Sequence, residues 1–336
     1  MMSLASLKQR ALDLHRKLVV INASTVIKYD DAHFVGAREA GITASSHTVT
    51  RPASLMRESI IEIKDCLKWM SSHQECLLVR NADDIHRAKR EGREGIILGP
   101  QNVNFIENQV DLLRIFKSLG ITITQLTYNE LNLVGGGCLE KIDPGLSKFG
   151  AKVVEEMNKL GIVIDLSHSG VRTAMDAIET SKDPVIFSHA NPYGLCPNPR
   201  NKTDDQLKAL AEKGGVIGIT AYGPISEVKR NVHPTIDDFF THLKYVVDLI
   251  GVDHVGIGTD HEETQTVESL IAFETSYPEI VGIYTHDKGG RYVRGMESIT
   301  CFPMITEGLI TRGYSDQEIS KIIGGNFLRV FDSVLR

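Results

Sequence analysis

The chain of 336 residues carries 37 lysines and arginines against 43 aspartates and glutamates, with no clustered run of either sign. That balance argues against a nucleic-acid or membrane surface and for small-molecule partners. Five widely spaced cysteines (Cys66, Cys76, Cys138, Cys196, Cys301) argue against both a disulfide framework and a paired-cysteine zinc site, and the polar N-terminus and absence of a long apolar run predict a cytoplasmic protein.

In chain order, Leu4, Leu7, Leu12 and Leu14 predict an amphipathic first helix, followed by a strand over Leu18–Ile21 that ends in Asn22, Ala23 and Ser24. A second strand fits Gly41–Ser46. Helices are predicted over Ser59–Met70 and Asn81–Glu91, the latter opening on an asparagine suited to cap it. Gly95–Gly99 is the third strand, running into Pro100, Gln101 and Asn102. Leu112, Leu113 and Phe116 mark a helical face, and Ile121–Thr127 is the fourth strand, with Tyr128 and Asn129 at its tip. A glycine-rich loop is predicted over Asn132–Gly145, and its cluster Gly135-Gly136-Gly137 is read as a flexible flap over the site, because it lacks the lysine and serine of a phosphate loop.

A helix over Ser147–Leu160 leads to the fifth strand, Ile162–Ile164, which ends in Asp165, Ser167 and His168. Another over Val171–Ser181 leads to the sixth, Pro184–Phe187, which ends in Ser188 and His189. Thr203 is a suitable cap for Asp204–Lys213, and Gly215–Ala221 is the seventh strand. The helix Ile236–Ile250 precedes the eighth, His254–Asp260. The tail Ser315–Arg336 reads as two helices separated by Gly324-Gly325. Strict alternation without a linker predicts one (β/α)8 barrel of the TIM type over residues 1–336, with a C-terminal helical extension.

In such barrels the site lies at the C-terminal ends of the strands, so those tips are comparable: Gln101, Tyr128, His168, His189, Tyr222 and Asp260. Two neutral imidazoles on neighbouring strands can bind one divalent cation, zinc before manganese, iron or cobalt, with a carboxylate opposite to handle water. A lone histidine would more simply cap its own strand. Two Ser-His tips side by side favour the metal.

The runs GLSKFGAKVVEEMNKLGIVIDLSHSG, PVIFSHA, PRNKTDDQL, HVGIGTD and GGNFLRVF resemble the membrane (renal) dipeptidase family of zinc peptidases over nearly the whole chain. The resemblance implies a (β/α)8 barrel, hydrolysis of dipeptides at a two-zinc centre, and a homodimer. It implies that His168 and His189 are ligands of one zinc, that Arg200 binds the substrate carboxylate, and that Asp260 assists proton transfer. Without the motif, Arg200 would read as a solvated loop residue.

The chain departs from the family at the centre itself. The first-strand His-x-Asp pair is replaced in VINAST by Asn22, Ala23 and Ser24, the bridging glutamate by Gln101 in GPQNVNF, and a histidine by Tyr128 in LTYN. Two dications repel strongly unless a carboxylate lies between them. The expectation is therefore a mononuclear zinc site of His168 and His189, with Gln101 as a weak oxygen ligand or merely a hydrogen-bonding neighbour, Asp260 as base, and Tyr128 as an oxyanion donor or packing group. Arg200 and Tyr222 are the substrate-binding candidates, Tyr222 chiefly by packing. His33, His47, His261 and His286 are candidate replacement ligands, with His47 foremost and His261 assigned to the surface. Asp30-Asp31 reads as a surface loop. The expected function is hydrolysis of an amide bond in a dipeptide-like or N-acyl amino acid substrate. The alternative is a non-hydrolytic or metal-free binding descendant of the barrel.

Overall fold

The structure is a computed structural model and describes residues 4–26, 31–230, 232–263, 266–281 and 291–335. Its strands are β1 (Ile21–Thr25), β2 (Ala44–His47), β3 (Cys76–Leu78), β4 (Glu94–Leu98), β5 (Ile123–Gln125), β6 (Val163–Asp165), β7 (Ile186–Ala190), β8 (Val216–Ile219) and β9 (Val255–Ile257). Every ladder is parallel, in the orders β1-β2-β4-β3 and β5-β6-β7-β8-β9. Parallel bridges Leu98 to Ile121 and Thr25 to His261 join the two sheets into a TIM-type barrel. Eight strands match those expected from alternation, although β1 overlaps the expected Leu18–Ile21 only at Ile21 and contains the residues Asn22–Ser24 expected at its tip. β3 is additional, and it pairs with Glu94, Gly95 and Ile96 at the start of β4.

The helices begin where capping chemistry places them. Asn81 accepts from the Asp84 amide at 3.1 Å to open Ala82–Glu91, and Thr203 accepts from the Gln206 amide at 3.3 Å to open Asp204–Glu212. Helix Lys148–Leu160 starts from the Ser147 hydroxyl and stops at Gly161, whose φ of 63° is left-handed. Asp30 and His286 lie outside the described residues, and Asp31 begins a helix, Asp31–Glu39, rather than a loop.

Alternation of side chains along the strands divides the core into two layers. Inward residues such as Ile21, Ala44, Ile123, Val163, Ile186 and Val216 meet Phe327 and Phe331 of the last helix, Asn326–Val334, which plugs the N-terminal end of the barrel. Outward residues such as Ile96, Leu98, Ile164, Phe187 and Ile217 pack under the surrounding helices. The tail is continuous: Gly324-Gly325 lies in a π-turn, Lys321–Gly325, where a Cβ on Gly324 would stand 2.3 Å from the Val19 carbonyl oxygen. With its floor closed, the barrel is open to ligands at the opposite end. No described helix is long and apolar enough to cross a membrane.

Candidate functional site

The strand tips converge at the C-terminal mouth on a cavity of about 210 Å³ lined by Gln101, Tyr128, His168, Arg200, Tyr222 and Asp260 among others. His189 stands directly behind His168, with their Nε2 atoms 3.1 Å apart, and its Nε2 lies 3.9 Å from Asp260 Oδ1. All seven candidates from the sequence are therefore brought together.

The hydrogen bonds around the two imidazoles decide which nitrogens carry protons. Asp165, at the end of β6, accepts through Oδ1 from Ser167 N at 3.0 Å, Ser167 Oγ at 2.6 Å and Ser188 N at 3.0 Å, while its Oδ2 accepts from Ser188 Oγ. The Ser188 hydroxyl has one proton and gives it to the carboxylate, so it accepts from His189 Nδ1 at 2.7 Å. On His168, Nδ1 donates to Asn129 Oδ1 at 2.6 Å. Both rings are thus protonated on Nδ1, and their Nε2 lone pairs face one another. Burial, aided by the Arg200 charge, holds both rings well below their ordinary pKa and hence neutral.

Two lone pairs at 3.1 Å repel unless a cation lies between them. Zinc–nitrogen bonds of 2.0–2.1 Å in tetrahedral geometry separate two ligand nitrogens by about 3.3 Å, so the donor pair fits such an ion. Asn129 and Asp260 both adopt left-handed backbone conformations, with φ of 55° and 59°. Such strain in non-glycine residues is tolerated where it aims functional groups.

Asp260 is bonded on several sides. Ser24 Oγ donates to its Oδ1 at 3.0 Å, and Gln101 also hydrogen-bonds the carboxylate. Gln101 is thereby engaged as the neighbour of a strand tip. Burial raises the Asp260 pKa above the ordinary carboxylate range, against the pull of Arg200, Arg291 and these two donors. Asn22, in the neighbouring position of β1, accepts from Thr259 N at 3.0 Å. The first-strand residues thus hold β9 in place.

Tyr128 stacks on His168, ring centroids 4.1 Å apart and 22° from parallel, and burial raises its phenol so that it stays neutral. Arg200 is 2% exposed, which overturns the solvated reading. Its guanidinium donates to the carbonyls of Ser167 and His189 and still borders the cavity. Tyr222 is buried in an apolar wall with Ile225, Ile280 and Tyr292.

Three further readings change. His261 is buried, its Nε2 meeting the Met296 carbonyl at 2.7 Å, because the segment following residue 291 covers the outer face of the barrel there. Gly135–Gly137 is buried and pinned, with Gly136 N donating to Thr173 Oγ1 at 2.9 Å. A Cβ on Gly137 would stand 2.1 Å from the Asn129 backbone, so these glycines permit close packing rather than flap motion. His33 and His47 sit outside the cavity, in the layer between strands and helices.

Two contributors escaped sequence reasoning. Arg291 borders the cavity, lies 5.3 Å from the Tyr222 ring and 3.5 Å from Glu262, and has Nε and Nη1 without hydrogen-bond partners among the described residues. It follows the barrel repeat, so no strand tip announces it. Asp165 was visible in DLSHSG, but its role emerges only from its four accepted hydrogen bonds.

Comparison with known proteins gives a consistent result. The sequence profile of membrane dipeptidase (peptidase family M19) matches residues 32–282 and 278–335. The chain is 32% identical over 259 residues to dipeptidase verJ of Clonostachys rogersoniana, a match covering 76% of this chain and 60% of that protein. It is 29% identical over 293 residues to dipeptidase 3 of Rattus norvegicus, covering 85% and 54%. The chain thus spans little more than half the length of these curated relatives. Among solved structures, an amidohydrolase from Pseudomonas aeruginosa superimposes with a TM-score of 0.88 and 35% identity over 97% of this chain and 99% of that one.

Proposed function

The chain belongs to the membrane dipeptidase family, and from that premise we propose that it is a metal-dependent hydrolase, opening an amide bond in a small carboxylate-bearing substrate such as a dipeptide or N-acyl amino acid. The observation that carries this reading is the pair of Nε2 lone pairs meeting at 3.1 Å beside Asp260. One zinc ion is the proposed occupant, held by His168 and His189. When bound it would supply Lewis-acid polarisation of the acyl oxygen and a lowered pKa for water.

The chain's own residues supply the rest. Asp260, whose pKa burial raises, takes the proton of the attacking water and returns it to the leaving nitrogen. Tyr128 keeps its phenol proton and donates toward the developing oxyanion. Arg200 and Arg291 give the cavity a positive wall that suits the substrate carboxylate, and Tyr222 packs against its apolar part. Because Asn22 and Ser24 are engaged with β9 and Gln101 with Asp260, the chain's residues favour one ion at this centre rather than two.

A binding protein without turnover is the second reading, and one observation favours it: two donors on Asp260 stabilise its charged form and weaken it as a base. The deciding experiment combines zinc-dependent turnover of a panel of dipeptides and N-acyl amino acids with metal analysis of His168→Ala and His189→Ala. Turnover lost with the ion in both variants supports the hydrolase. Zinc binding without turnover on any substrate supports the binder. No ion dependent on these histidines overturns the metal reading.

A further inference from the structure

Away from the cavity, three groups that ligate metals meet in the apolar layer between the barrel and its helices. His33 comes from helix Asp31–Glu39, His47 from the end of β2, and Glu94 from the start of β4. One ligand atom from each lies within 4.8 Å of the others, and His47 Nε2 is 3.7 Å from Glu94 Oε1. All three are buried, at 0%, 0% and 1% exposure. None lines the mouth cavity.

Burying two imidazoles and a carboxylate among Phe34, Ile96 and Leu98 is costly unless each polar atom is met. Neither ring nitrogen of His47 has a hydrogen-bond partner among the described residues, and neither has Glu94 Oε2. The other carboxylate oxygen accepts from Ser45 Oγ at 2.8 Å, which fixes the direction of the group. The two rings meet edge to face, centroids 5.5 Å apart at 84°, so they approach the carboxylate from different directions. Strand alternation explains the placement: Ser45 and His47 share the outer face of β2, beside the first outward residue of β4.

We propose that His33, His47 and Glu94 form a second, structural site for one divalent ion of the zinc class, separate from the catalytic pair. Two neutral imidazole nitrogens and one carboxylate oxygen are a zinc donor set, and Ser45 is the supporting partner that orients the carboxylate. The ion ties helix Asp31–Glu39 to β2 and β4. Catalysis does not pass through it, because the three ligands have no contact with the cavity.

The test separates this site from the catalytic one by using His168→Ala/His189→Ala as the starting protein. After equilibration with zinc and desalting, that double variant should retain one ion per chain, and adding Glu94→Gln or His47→Asn should remove it, with a matching loss of the zinc-dependent rise in Tm. If either addition unfolds the chain, the double variant loaded with cobalt(II) still decides, through a visible d–d band and X-ray absorption with two imidazole shells. A double variant that binds no zinc or cobalt, or that keeps zinc through both added substitutions, overturns the proposal.

Discussion

Replacing Asp165 by asparagine tests the proton assignment on which the site depends. The carboxylate accepts four hydrogen bonds, and the one from Ser188 Oγ to Oδ2 obliges Ser188 to accept from His189 Nδ1. In Asp165→Asn, Oδ1 can keep its three donors, but an NH2 group replaces Oδ2 and donates where the carboxylate accepted. The Ser188 proton is then free to turn toward His189 Nδ1, 2.7 Å away, and drive the ring proton onto Nε2, the atom that faces His168. Loss of a supporting partner of this kind costs about 10- to 100-fold in metal affinity. Losing a charge-assisted hydrogen bond costs about 2 kcal/mol of stability, a fall in Tm of about 3 °C for a chain of this size. Zinc titration, thermal melts and nitrogen-15 shifts of the imidazoles would measure all three quantities. Unchanged zinc affinity with His189 still protonated on Nδ1 would refute the reasoning, and a large stability loss with unchanged affinity would reduce Asp165 to a structural hub.

Asp260→Asn should keep the fold, since asparagine tolerates a left-handed φ, and keep zinc, while kcat falls by about 10²- to 10⁴-fold. The base must be ionised and its pKa is raised, so wild-type activity should be lost as pH falls through a midpoint above about 3.9, and a midpoint at or below that value contradicts the assignment. Arg291→Met should raise KM for carboxylate-bearing substrates by about 10-fold or more with kcat little changed, in line with a lost charged hydrogen bond; an unchanged KM removes Arg291 from substrate binding. Gly308→Ala sets helix propensity, a gain of about 1 kcal/mol, against a Cβ 2.1 Å from Phe240 Cζ, a cost of about 1 to 3 kcal/mol. Arg312 stacks on that ring at 3.8 Å and Phe240 is itself buried, so denaturant melts should record net destabilisation, and a stabilised variant would show that the ring can move.

The barrel was legible because its signals are local and repeat: apolar strand, polar tip, capped helix. The placement of His168, His189 and Asp260 beyond strand ends was legible for the same reason, each lying a few residues past an apolar strand. β3 lies between two predicted helices, where strict strand–helix alternation leaves no place for it, and Arg291 lies beyond the last strand in a segment with no pattern to place it. The errors have a common cause. Exposure of His261 and mobility of Gly135–Gly137 were inferred from residue type, whereas packing against neighbouring segments buries them. The cluster of His33, His47 and Glu94 joins positions 61 residues apart, and only the fold reveals that they meet.

The seam where β1 meets the end of β9 limits what single substitutions there can achieve. Asn22 and Ser24 stand where the family resemblance calls for metal ligands, and they now hold Thr259 and Asp260 instead. Changing Ser24 to aspartate alone would set a second carboxylate against Asp260, about 3 Å away, with no cation yet between them. Changing Asn22 to histidine alone would replace the amide that accepts from Thr259 with a bulkier ring in a fully buried position. Each single substitution toward that ligand pair disturbs the contacts around Thr259 and Asp260, so neither change alone would rebuild a two-ion centre.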